Sequence, residues 1–173
     1  MLDKQIEDAL NEQINAEFFS AYLYYSMAAY FESLSLKGFG HWMRVQALEE
    51  LTHTHKFSAY ILDRGGQPVM RPIESPPARW ESPLKAFEET YEHEVSVTKR
   101  INTLMDLAQE KRDHASQHFL QWFIGEQVEE EASVDEVVQK LKLVDKTEGG
   151  IFLLDQDMNK RTFVLPPELA GAF

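Results

Sequence analysis

Along two long stretches, residues 1–67 and 84–165, apolar side chains recur at spacings of three and four, with no strand-like alternation of useful length. Both stretches are almost free of helix breakers. The prolines fall at Pro68, Pro72, Pro76, Pro77, Pro83, Pro166 and Pro167, so none removes a backbone donor from the periodic segments. The pattern predicts helix A over about 3–33, B over 38–65, C over 83–111 and D over 114–143, with a shorter fifth helix over 147–158. The punctuation agrees: Gly65-Gly66 suits the end of B, Ser82 places a capping hydroxyl before a first-turn proline, and Asp113 is placed to cap D.

Connection lengths then constrain the topology. The A–B and C–D links are short enough to allow only antiparallel neighbours. The B–C link is long, reaching roughly 56 Å if extended, whereas helix B spans only ~42 Å. It can cross the whole bundle and return the chain parallel to B. The expectation is an all-α, up-down-down-up four-helix bundle over about 3–143, with the fifth helix and a tail at 147–173, as one domain.

Composition narrows the setting. The 173 residues are 43% hydrophobic and 27% charged, the balance of a chain with a core. With no cysteine there is no disulfide framework, no thiolate metal site and no cysteine nucleophile, which fits a reducing, cytoplasmic compartment. The first residues, Met1 to Asp8, carry charges where a secretion signal needs an apolar run. The most apolar stretch, Phe18 to Phe31, is too short for a membrane span and reads as a core helix. A net charge of −12 disfavours nucleic acid as a partner and favours attraction of cations.

Several acids fall where apolar residues belong. Helix A's inward row is Ile6, Leu10, Ile14, Glu17, Ala21, Tyr24 and Ala28; helix B's is Met43, Ala47, Glu50, Phe57 and Ile61, with His53 one turn beyond Glu50. Helix C reads Phe87, Tyr91, Glu94, Ile101 and Met105, and helix D reads Leu120, Phe123, Gln127, Glu130, Val134, Val137 and Leu141. Counting along parallel helices B and C puts Glu50 and Glu94 at the same height, with Glu17, Gln127 and Glu130 near the middles of A and D. One mid-height cluster can hold them all. Clustered carboxylates repel, and burial raises the energy of their charged forms; a metal relieves both problems. Glu17, Glu50, Glu94 and Glu130 supply four negative charges, enough for two divalent cations, and His53 adds a nitrogen. Oxygen-rich ligands with one imidazole suit iron or manganese better than copper, with zinc a competitor.

At these residues the chain resembles the non-haem ferritins of bacteria and archaea. The shared segments are Gln13-Ile14-Asn15-Ala16-Glu17, Trp42-Met43-Arg44, Tyr91-Glu92-His93-Glu94 and Gln127-Val128-Glu129-Glu130-Glu131. The resemblance implies ferroxidase activity within each subunit, turning Fe²⁺ into Fe³⁺ with O₂ or H₂O₂, and a homo-24-mer cage that stores ferric mineral. By position it makes Glu17, Glu50 and His53 one iron site, with Glu50 bridging to a second completed by Glu94 and Glu130, and Gln127 beside it. It also suggests a third, weaker site from Glu49, Glu126 and Glu129, although a solvated acidic face accounts for those residues equally well. Tyr24 could donate a hydrogen bond or an electron, or simply pack; Trp122 and Tyr91 are open in the same way.

Departures refine the resemblance. Many di-iron bundles carry two Glu-x-x-His pairs, but here the second is Gln127-Val128-Glu129-Glu130, so the second metal lacks an imidazole. Bacterioferritins bind haem through a methionine directly after the helix-B glutamate; Leu51 stands there, and haem is not expected. His114 and His118, four apart, could line a pore, whereas His41, His55 and His93 read as surface residues. Gly125 suggests close packing beside the site, and the tail from Thr162 onward either docks on a shell or stays loose. Two other functions remain open: a di-iron oxygenase acting on a small organic substrate, which needs an apolar pocket beside the metals, and a non-catalytic helical scaffold with solvated acids.

Overall fold

The computed structural model describes residues 2–144, 147, 149–166 and 169. Its helices are α1 (Lys4–Ser33), α2 (Lys37–Asp63), α3 (Pro83–Glu110), α4 (His114–Val144) and α5 (Gly150–Met158), and there is no strand among the described residues. Ser82 and Asp113 cap as the sequence leads one to expect, and Asp3 caps α1 as well. Asp3 accepts from the Gln5 backbone N–H at 2.9 Å, Ser82 from Lys85 at 3.1 Å ahead of Pro83, and Asp113 from Ser116 at 3.1 Å. Gly65 ends α2 with φ +75°, a conformation that costs glycine little. Ser35 and Arg112 adopt positive φ in the two short turns, where Leu36 and Asp113 each donate back into the preceding helix.

Two apolar clusters define the topology. One joins the start of α1 (Ile6, Leu10, Ile14), the end of α2 (Phe57, Ile61), the end of α3 (Val97, Ile101, Leu104, Ala108) and the start of α4 (Leu120, Phe123). The other joins the end of α1, the start of α2, the start of α3 and the end of α4, with Leu154 and Met158 of α5 added. Starts meeting ends in this way is the up-down-down-up arrangement. The gap between the clusters, at the middle of every helix, is where the ionisable residues fall.

The crossover after α2 runs along α1. Asn11 donates to the Gln67 carbonyl at 3.1 Å and accepts from the Val69 N–H at 2.6 Å; farther on, Ser26 donates to the Pro77 carbonyl at 2.6 Å and Tyr30 to the Trp80 carbonyl at 3.0 Å. Polar groups of α1 thereby satisfy a connection that has no regular ladder of its own.

The fifth helix starts at Gly150, later than expected, and Asp145, Lys146 and Glu148 lie outside the described residues, as do Pro167, Glu168 and residues 170–173 of the tail. It docks on the start of α2, whose own N-cap, Leu36, has no capping side chain. Asp155 takes over that task, accepting from the Phe39 N–H at 3.0 Å. A carboxylate there also faces the positive end of the α2 dipole. Gly38 makes this approach possible, because a Cβ at that position would lie 1.6 Å from the Asp155 carbonyl oxygen. Gly125 differs from expectation: a Cβ there meets nothing within 4 Å, so its lack of a side chain serves no close packing among the described residues.

The Gly38→Ala substitution is therefore expected to push α5 off while leaving the bundle folded. Melting should show a loss of about 1–3 kcal/mol, and limited proteolysis should cut beyond α4 faster, with helical circular dichroism little changed.

Candidate metal centre

Each inward helix face brings its polar residue to the same layer. Glu17 and Tyr24 come from α1, Glu50 and His53 from successive turns of α2, Glu94 from α3, and Gln127 and Glu130 from α4; none is more than 4% exposed. Ligand atoms of Glu17, Glu50 and His53 lie within 4.8 Å of one another, and so do those of His53, Glu126 and Glu130. His53 is the member common to both groups. Its Nδ1 lies 3.2 Å from Glu50 Oε2, and its Nε2 lies 3.9 Å from Glu126 Oε1. Glu94 belongs to neither close group. One of its oxygens accepts from the Tyr24 hydroxyl and the other from Gln127 Nε2 at 3.3 Å.

Uncharged donors hold the other carboxylates. Gln13 Nε2 donates to Glu17 Oε1 at 2.8 Å, and Gln46 Nε2 to Glu130 Oε2 at 2.6 Å. The second oxygen of Glu17, buried, has no hydrogen-bond partner, an expensive condition for a carboxylate that a metal would relieve. Below the layer, His53 packs edge-on to Trp122 and Phe123, with ring centroids 5.5 and 5.8 Å away, and Phe123 stacks on Phe57. These rings exclude water from one side. A cavity of about 440 Å³ between α1 and α3 does not include the layer's carboxylates, but one of about 360 Å³ on the α3–α4 seam, lined by Thr98, Asn102, Gln127 and Glu131, reaches Gln127.

Burial dominates the electrostatics. It pushes Glu17 well above the ordinary carboxylate range, with the Glu50 charge adding to the effect. Glu50 is pushed up to about 7, chiefly by burial and against the hydrogen bond from His53, and Glu94 up to about 8 by burial and then by Glu130. Burial alone would lower His53, but Glu126 and Glu50 outweigh it and hold the imidazole well above its usual value. Without metal, the layer thus keeps protons that an exposed set of the same residues would have lost.

Of the residues of the suggested third site, Glu49 and Glu126 are near enough for their charges to interact. Glu126 faces His53, Glu129 is exposed, and Glu49 pairs with Arg161. Three histidines need correction. His93 is half-buried between α1 and α3, 2.8 Å from Ser20 Oγ and edge-on to Tyr24, and burial lowers it to about 4. His41 is half-buried against the Arg161 carbonyl at 2.7 Å, and His55 is also half-buried. His114 and His118 are exposed at the start of α4, Tyr91 packs on the apolar cluster that includes α5, and Leu51 lies at the surface of α2. Sequence reasoning missed Gln46 and Arg161. Gln46 had a signal, since it and Gln13 each stand four residues before a layer glutamate; Arg161 had none.

A four-helix bundle whose middle is a buried layer of carboxylates and one imidazole defines a ferritin-like protein. A family model described as a Ferritin-like domain matches residues 7–144. The bacterial non-heme ferritin of Bacteroides fragilis (strain YCH46) is 41% identical across 93% of this chain and 100% of its own, and that of Staphylococcus aureus (strain MRSA252) is 36% identical across 94% and 98%. An engineered closed form of the Archaeoglobus fulgidus ferritin superposes with a TM-score of 0.93 at 49% identity, covering 95% of this chain and 100% of that one. A humanized archaeal ferritin gives 0.94 at 48%, with 95% and 100% covered. The chain belongs to the ferritin family.

The raised carboxylates fix a pH dependence. Glu50 and Glu94 hold protons in the folded chain that the unfolded chain releases near 4.5, so their stabilising contribution is lost as pH rises toward about 7 and about 8 respectively. His53, raised above 6.5, acts in the same direction. Metal-free protein should melt at progressively lower temperature between pH ~5 and ~8. The Glu50→Gln, Glu94→Gln double variant should flatten that slope, and saturating Zn²⁺ should raise the melting temperature more at the alkaline end. A melting temperature that rises with pH in metal-free protein would contradict the assignment.

Proposed function

We propose that this protein stores iron by oxidising it at the buried layer and keeping the ferric product inside a shell of its own copies. Family membership supports iron storage, and the observation that carries the ferroxidase reading is the confinement of Glu17, Glu50, His53, Glu94 and Glu130 to one water-poor layer. Ferrous iron is the substrate. Each of two Fe²⁺ gives up one electron; O₂ takes both with two protons to become H₂O₂, or H₂O₂ takes both with two protons to become two waters.

The side chains have separable tasks. Glu17, Glu50 and His53 hold one ion, and Glu130 and Glu94 the other, with Glu50 between them. Glu126, close to His53 and only partly buried, is a step between solvent and the layer. Tyr24 keeps its proton, because burial and the Glu94 charge hold it well above its ordinary value, so it acts as a hydrogen-bond donor that orients Glu94. Gln127 donates to the same carboxylate and offers its carbonyl oxygen rather than an imidazole to the second ion.

Charge gives the reaction a direction. Four carboxylates balance two ferrous ions, but two ferric ions leave two positive charges unmet. Hydroxide or oxide must make up the difference, which favours hydrolysis and departure of the product from a layer with no room for added charge. Closed assembly into 24 copies then follows the ferritin pattern and would confine that product.

Metal-free assembled protein mixed with about two equivalents of Fe²⁺ per chain in air should develop ferric absorbance quickly. Glu50→Gln and His53→Ala should slow the initial rate by roughly a hundredfold while keeping helicity. Wild-type rates in either variant would overturn the site, and loading that yields no dense iron-filled particle on sedimentation would overturn storage in a shell.

A further inference from the structure

Beyond the end of α5, the chain reaches back to the metal layer through one side chain. Arg161 Nη1 donates to Gln46 Oε1 at 2.7 Å, its Nη2 pairs with Glu49 Oε2, and its guanidinium lies over the Trp42 ring at 4.1 Å. Its backbone carbonyl is held by His41 Nε2 at 2.7 Å. Gln46, fully buried, uses its other end to donate to Glu130 Oε2. A continuous line therefore runs from the C-terminal segment through Arg161 and Gln46 to a carboxylate of the layer, with Glu49 drawn in beside it. The position of Arg161 is fixed three residues earlier by Met158, buried within the apolar cluster that includes α5, and by the docking of Asp155 on α2.

A guanidinium and a metal ion cannot occupy the same carboxylate oxygen. Here the planar fork satisfies an amide oxygen and a carboxylate at once while its face rests on an indole, a combination that a lysine ammonium cannot reproduce. We propose that Arg161 is a built-in cation and positioning residue: it occupies Glu49 and, through Gln46, orients Glu130, so that the layer binds two metal ions tightly and admits a third only when Arg161 is displaced. The inference rests on the reading of the layer as a two-metal site. It assigns a task to the C-terminal segment, since the docking of α5 sets whether the guanidinium is in place. The two contacts also have separable consequences. Release of Glu49 from the guanidinium frees a ligand for an additional ion, whereas loss of the Gln46 contact loosens Glu130 and weakens the second ion.

Zn²⁺, which is not oxidised, separates these effects in calorimetric titration of the metal-free assembled protein. The unsubstituted protein should take two tight equivalents per chain and a third much more weakly. In Arg161→Gln the third should tighten by about tenfold, the second should weaken, and adding Glu49→Gln should remove the third again. Arg161→Lys should keep the third near its original affinity while leaving the second weakened, because the charge is restored and the fork is not. If Arg161→Gln does not assemble, that split in Arg161→Lys is the deciding result. Two tight equivalents whose affinities, and that of the third, are unchanged in the Arg161 variants would overturn this inference alone. Absence of the two tight equivalents in the unsubstituted protein would overturn the two-metal reading and this inference with it.

Discussion

Buried charge in the middle of a helical bundle is the constraint on which the rest of this structure depends. Four carboxylates from four helices meet where the surroundings are least able to screen them, and ionised together they would repel strongly. The fold can hold the layer only by keeping protons on it or by admitting cations. Both responses are visible in the side chains. Glu17, Glu50 and Glu94 are raised into the range where they retain protons, and the ligand atoms stand close enough to be drawn together by an ion. Stability comes from elsewhere, from the apolar clusters above and below, whose aromatic and branched residues lock the helix register and so fix the height at which the acids meet.

The polar partners of the layer are as specifically placed as the acids. Gln13, Gln46, Gln127 and Tyr24 each donate to a carboxylate, and none brings a full positive charge that would occupy the layer permanently. Had lysines or arginines filled those places, the carboxylates would be neutralised and closed to metal. Arg161 supplies the only guanidinium in contact with this network among the described residues, and it meets Glu49 at the edge rather than any member of the layer directly. The amides and the phenol orient without charge, His53 is the cationic donor inside the layer, and the guanidinium stands outside it.

Much of this was legible in the sequence because two patterns cross. Apolar spacing marked the helices and their inward faces, and the acids stood out as violations of that spacing at matched heights. Helix ends were readable from Ser82, Pro83, Gly65 and Asp113, whose conformational and capping preferences act locally. What could not be read depends on contacts distant in sequence. Asp155 caps a helix more than a hundred residues earlier, and Arg161 reaches Gln46 across a similar separation. His93 reads as a surface residue in the sequence, but it is half-buried because α1 packs closely on α3 through Ser20 and Tyr24, which no single-helix pattern reveals. Gly125 misled for the opposite reason, since a glycine in a helix implies a close neighbour only where one exists.

The asymmetry of the layer carries a final consequence. One half has His53, whose imidazole adds a ligand without adding negative charge; the facing half has Gln127, a weaker donor already engaged with Glu94 and Thr98. A site meant to retain two ions permanently would gain from a second imidazole, because a nitrogen ligand strengthens binding of first-row divalent metals. On the proposed two-metal reading, its absence makes the second position the more easily vacated. Such an arrangement suits ions that arrive, lose an electron and leave, and the same charge count that welcomes a divalent pair leaves a trivalent pair in excess. On that reading the looser of the two holds and the charge mismatch after oxidation act together, so a geometry that binds a divalent pair favours release of a trivalent one.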